Sequence, residues 1–168
     1  MSRLLPRVTE KARELVAREF DTRGPDVCAK EIIEHLEKDN PELLNMATKC
    51  AADLGSPARA MVGFAMFYRL LAVRLPTPAA AGAAPMLTPL PRVSAKTRAM
   101  LVAEIDQNGA EVFTRAAIAE LEEGNPELLQ MAHGFASGSG NYLIAMQGFA
   151  LLYRSLVLQS AVERIRLH

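Results

Sequence analysis

Two Tyr-Arg dipeptides close the two most apolar stretches of this chain: Tyr68-Arg69 in AMVGFAMFYRLL (residues 60–71) and Tyr153-Arg154 in AMQGFALLYRSL (145–156). Arginine carries a rigid, planar fork of donors that fits a carboxylate or phosphate, and tyrosine adds an aromatic wall with a hydroxyl. Tyr68, Arg69, Tyr153 and Arg154 are therefore candidates for a pair of equivalent clamps on a ligand or partner. The competing outcome is internal. Each guanidinium would then meet a carboxylate of an earlier helix, such as Glu19 or Asp21, Glu104 or Asp106.

Other chemistry is thinly represented. The acidic pairs Glu19/Asp21 and Glu104/Asp106 are spaced by two, which on a helix turns the groups to different faces. No Glu-x-x-His occurs, so the ligand set of a dinuclear carboxylate bundle is missing. Of three histidines, His168 is terminal, His35 is expected on an exposed helix face, and His133 stands where the first stretch has Thr48. Cys28 and Cys50 have no metal-ligand spacing and are too few for a disulfide scaffold. GFASGSGN (134–141) would make a loose corner, but no strand precedes it and no GxxxxGK[ST] or GxSxG is present. No catalytic residue can be named, and neither a metal nor a cofactor is expected.

Charge narrows the partners further. Lysine plus arginine equals aspartate plus glutamate, 19 of each, so no global field draws the chain to nucleic acid or an acidic membrane. The basic residues near the N-terminus alternate with Glu10 and Glu14, as on a solvated helix face. The N-terminal MSRLLPRVTEKARELV has no signal-peptide core. The longest uncharged helical stretch, Ser137 to Tyr153, begins with polar SGSGN and falls short of the roughly twenty apolar residues of a membrane span. A soluble, cytoplasmic protein with no nucleic-acid or membrane partner is the expectation.

Behind the two Tyr-Arg pairs stands a longer repetition. Shifted by 85 residues, Arg7–Leu71 lies over Arg92–Leu156 without a gap, and 28 of the 65 aligned positions are identical, NPELL at 40–44 and 125–129 among them. An internal duplication follows. Residues 1–75 form a first helical repeat, 76–91 an Ala/Pro-rich linker that prolines keep extended, and 92–168 a second repeat.

Each repeat reads as four helices. Apolar periodicity places the first over Val8–Phe20, and Gly24-Pro25 ends it and starts the next. The second helix buries Val27, Ile32 or Ile33, and Leu36. Asn40-Pro41-Glu42 supplies a cap, a first-turn proline and a carboxylate for the third helix, and Gly55-Ser56-Pro57 repeats the stop, cap and proline for the fourth, which runs to about Leu75. The second copy gives Val93–Ile105, Ala110–Glu122, Pro126–Ser137 and Tyr142 onward. The fourth helix is apolar on all sides, in the second copy from Tyr142 and Leu143 on, and such a helix belongs at a centre. Ala60, Gly63 and Phe64, with Ala145, Gly148 and Phe149, would pack the two fourth helices together.

The expected architecture is all-α, two four-helix repeats packed with pseudo-twofold symmetry into one compact body of about eight helices. The expected function is a helical protein–protein interaction module, an adaptor, regulator or small chaperone with a protein partner and a possible homo-oligomeric state. The alternative is a small-molecule or anion-binding protein or enzyme with a pocket between the two central helices.

Overall fold

The computed structural model describes residues 5–74, 86–87 and 90–167, and within them the chain is all-α with eight helices. Four precede the linker: α1 (Glu10–Arg23), α2 (Pro25–Asp39), α3 (Pro41–Ala52) and α4 (Pro57–Ala72). Four follow it: α5 (Ala95–Asn108), α6 (Ala110–Gly124), α7 (Pro126–Ser137) and α8 (Tyr142–Leu167). Gly24 and Gly109 join α1 to α2 and α5 to α6 at φ of 95° and 88°, a left-handed backbone that a β-carbon would strain. Pro25, Pro41, Pro57 and Pro126 each open a helix, where the missing N–H has no bond to lose. The hydroxyls of Thr9 and Ser94 cap α1 and α5 by accepting from Ala12 and Thr97 N–H, both at 3.1 Å.

Helix α4 ends at Ala72 rather than near Leu75. Val73–Arg74 (β1) then pairs antiparallel with Met86–Leu87 (β2), Val73 opposite Leu87. Most of the 76–91 linker lies outside the described residues. No helix among the described residues is long and apolar enough to cross a membrane.

Helices α4 and α8 carry the heaviest apolar load. Phe67 and Leu71 of α4 and Met146, Phe149 and Leu156 of α8 are all within 1 or 2 % of complete burial. They belong to one hydrophobic cluster with Val16 and Phe20 of α1, Leu36 of α2, Leu43 of α3, Leu121 of α6 and Leu128 of α7. Phe64 meets Phe149 edge-on with ring centroids 4.9 Å apart, and Phe67 lies 5.2 Å from the same ring. A smaller cluster of Leu101, Phe113, Ala117 and Ala150 ties α5 and α6 to α8. Val27 is half exposed rather than buried. It sits one residue, about 100°, away from the stripe that Cys28, Ile32 and Leu36 make at a spacing of four. Tyr142 and Leu143 are also exposed, because the burial of α8 begins only at Ala145.

The side chain of Asn40, expected to cap α3, does not do so, and neither does that of Asn125 before α7. Neither side chain bonds to its own helix. Asn125 turns to the segment before α1: Val8 N–H donates to its Oδ1 at 2.9 Å, and its Nδ2 donates to the Pro6 carbonyl at 3.0 Å. Asn40, at the matched position, treats the segment before α5 the same way. Val93 N–H donates to its Oδ1 and its Nδ2 donates to the Pro91 carbonyl, both at 2.9 Å. An amide side chain thereby satisfies an N–H and a C=O two residues apart, as a neighbouring strand would. Both asparagines are almost completely buried. An ion pair accompanies each, Arg13 to Glu127 and Arg98 to Glu42, both at 3.0 Å. PRV at 6–8 thus meets NPE at 125–127, and PRV at 91–93 meets NPE at 40–42.

Candidate functional site

Both arginines of the Tyr-Arg pairs end on carboxylates. Arg69 donates from Nε and Nη2 to the two oxygens of Glu19 at 3.0 and 2.9 Å, a planar two-point contact with only 14 % of the arginine side chain exposed. Arg154 is held more loosely, 3.4 Å from Glu120 and 3.8 Å from Glu104. Tyr68 is buried beside the His35 ring, and loss of solvent, with the Asp39 charge second, pushes its hydroxyl up to about 12. Tyr153 is likewise raised, first by burial and then by Glu120. Tyr68 and Arg69 border a recess of about 130 Å³ whose other walls are Glu19, Arg23, Cys28, Glu31, Ile32 and His35. Those walls are α1 and α2; Tyr153 and Arg154 are not among them.

The concavity between the central helices has a different lining. Its floor is Phe64, Phe149 and Phe135, with Ala60 and Ala145 between the rings. Its rim is the pair of corners leading into α4 and α8: Leu54, Gly55 and Ser56 on one side, Gly138, Ser139 and Gly140 on the other, with Arg59 across the gap. The enclosed volume is about 260 Å³. An open trough of about 510 Å³ continues from it past Arg59, over Val62 and Met66, to Pro25, Asp21 and Asp26.

Glycines shape this mouth. A β-carbon on Gly148 would come within 2.5 Å of the Phe64 ring and 3.2 Å of Cys50 Cβ, so the bare backbone of α8 is what lets Phe64 lie flat beneath the opening. A β-carbon on Gly63 would meet the Phe135 ring of α7 at 2.9 Å. The close approach expected of these two glycines is made to aromatic rings and to α3, not by one backbone against the other. Gly138 aligns with Asp53 at the 85-residue shift, and a β-carbon there would lie 3.2 Å from Arg59 Nη2. The guanidinium therefore rests across the empty face of the corner. Arg59 takes part in none of the ion pairs among the described residues.

The remaining reactive groups are quiet. Cys28 and Cys50 are free thiols. Burial raises both, Cys50 to about 11, which keeps them protonated at neutral pH. His133 Nδ1 is hydrogen-bonded to the Tyr142 hydroxyl at 2.8 Å on the exposed side of α7. Among the described residues no three His, Cys, Asp or Glu side chains converge as a metal site.

The chain matches no family model, and no curated protein or solved structure similar to it is found. Its own residues carry the functional reading. Two groups lay outside the residues marked from sequence: Arg59, whose matched position holds Ile144, and the buried asparagines.

Proposed function

We propose that the chain is a helical protein-binding module, built from two copies of a four-helix unit, residues 1–75 and 92–168, packed about a pseudo-twofold axis into one body. The reciprocal Asn40 and Asn125 contacts support the twofold reading, since matched residues of each copy bind matched residues of the other. The free thiols suit a reducing cytoplasm.

The single observation behind the binding role is the mouth between α4 and α8. Three phenylalanines line it, Phe64 and Phe149 from the buried core and Phe135 half-buried, and an open trough adjoins it at Phe135, Ser56 and Arg59. Apolar concavities with a few placed polar groups are where folded proteins take partners. An adaptor or regulator would use this mouth to hold an apolar group of its partner. A small-molecule reading draws on the same place, because about 260 Å³ beside an arginine also suits a compact anion.

Pull-down with the tagged full chain tests the module. Ser56→Trp is the control: Ser56 is exposed, its side chain caps nothing, and an indole there covers both mouth and trough. A partner recovered by the parent and lost with Ser56→Trp is expected. Recovery of the same proteins by both would remove the mouth from the function.

A further inference from the structure

We infer that the mouth and trough receive the C-terminus of a protein partner, with its free carboxylate on Arg59, a large apolar last side chain over the phenylalanines, and basic residues upstream. The inference rests on the module reading above and names its partner's chemistry.

Three observations converge on a carboxylate at this point. Arg59 is a cation at the boundary between pocket and trough, and it joins no ion pair among the described residues. The corner it leans on has lost the one acid that duplication would have put there, since Gly138 replaces the counterpart of Asp53. The start of α4 is also left open. At the matched corner Asn141 Oδ1 accepts from Ile144 N–H, whereas Ser56 makes no such bond, so the Ala58 and Arg59 N–H groups keep no partner among the described residues. A guanidinium beside the positive end of a helix stabilises a carboxylate far better than a neutral amide or hydroxyl.

Size and direction add the rest. The recess of about 260 Å³ lined by Phe64, Phe135 and Phe149 is large enough for a leucine- or phenylalanine-sized side chain. A chain ending there has the adjoining trough to run along, whose far end is acidic through Asp21 and Asp26, both exposed. That order, basic residues first and an apolar residue with its carboxylate last, makes a terminus fit better than an internal segment.

The probe is acetyl-Ala-Lys-Ala-Lys-Ala-Phe with a free C-terminal carboxylate, titrated into the full chain by calorimetry. It is compared with the same peptide as a C-terminal amide and with 3-phenylpropanoate. The free acid should bind, and amidation should weaken it about tenfold or more, the size of a lost charge-assisted pair. Arg59→Gln should bring the free acid down to the amide while leaving the amide and the melting temperature unchanged. Equal binding of acid and amide, or no binding of the acid at millimolar concentration, overturns the inference. So does 3-phenylpropanoate binding as tightly as the peptide, which would make this a small-acid site. If the peptide fails while Ser56→Trp still abolishes partner recovery, the terminus is wrong and the binding module stands.

Discussion

Removing the Asn125 side chain should loosen one half of the molecule from the other by an amount that can be worked from two hydrogen bonds. Asn125→Ala leaves the N–H of Val8, a residue 2 % exposed, without a partner and frees the carbonyl of the exposed Pro6. A typical bond contributes about 1 kcal/mol net, and a buried group left without a partner costs about 1–3 kcal/mol. The bond to Pro6 and the stranded Val8 donor together therefore put the loss at about 2–4 kcal/mol. For a chain of this size that is a fall in Tm of roughly 5–15 °C. The assay is urea unfolding followed by far-UV circular dichroism, with m compared between variants. Asn45→Ala, on an exposed position of α3, is the control and should stay within about 0.5 kcal/mol. Asn40→Ala should match Asn125→Ala, because it strands Val93 and Pro91 in the same manner. A loss below about 1 kcal/mol for both, with an unchanged m, would refute the reasoning, since water would then be reaching the leader segments.

Gly148→Ala should cost more than Gly63→Ala, about 1–3 kcal/mol against less, because its β-carbon strikes Phe64 at 2.5 Å while Phe135, struck at 2.9 Å, is only half-buried and can yield; thermal melts rank the two. Cys50 should alkylate at pH 8 roughly a hundredfold more slowly in the folded chain than in urea, since its pKa rises from 9.0 to about 11 and only the thiolate reacts. Its labelling rate should climb steadily up to about pH 11, and a plateau near pH 9 would contradict the burial argument. Residues 1–75 expressed alone should self-associate, because Asn40 needs a Pro-x-Val leader and its own copy carries one at Pro6–Val8. A monomeric half that melts cooperatively in sedimentation and calorimetric runs would exclude this.

The helices were legible because their ends carry strong local chemistry. Gly24-Pro25, Asn40-Pro41 and Gly109 punctuate the apolar periodicity, and the observed boundaries fall where those residues sit. The role of Asn40 was not legible from its neighbours, because an asparagine before a first-turn proline looks like a cap. The distinguishing sign lies in comparing the copies. True capping positions drift between chemically similar residues, as Thr9 and Ser94 do, since one acceptor is all they supply. Asn40 and Asn125 keep the full amide, and both its donor and its acceptor are in use. Arg69 was drawn to notice by its matched partner Arg154, and that sameness belongs to the scaffold: both hold α1- or α5-borne glutamates, Glu19 and Glu104. The mouth is lined instead by departures, Arg59 against Ile144 and Gly138 against Asp53, which a search for repeated motifs passes over.

The pairing of Val73–Arg74 with Met86–Leu87 has a practical meaning for anyone building with this chain. It fixes the two ends of the intervening sequence at adjacent points, about 5 Å apart as in any ladder. Whatever spans residues 75–85 need only leave and return, and each doubling of its length adds only about 0.6 kcal/mol of closure cost. A reporter domain grafted between the two strands would lengthen that excursion while its two anchoring points stayed side by side.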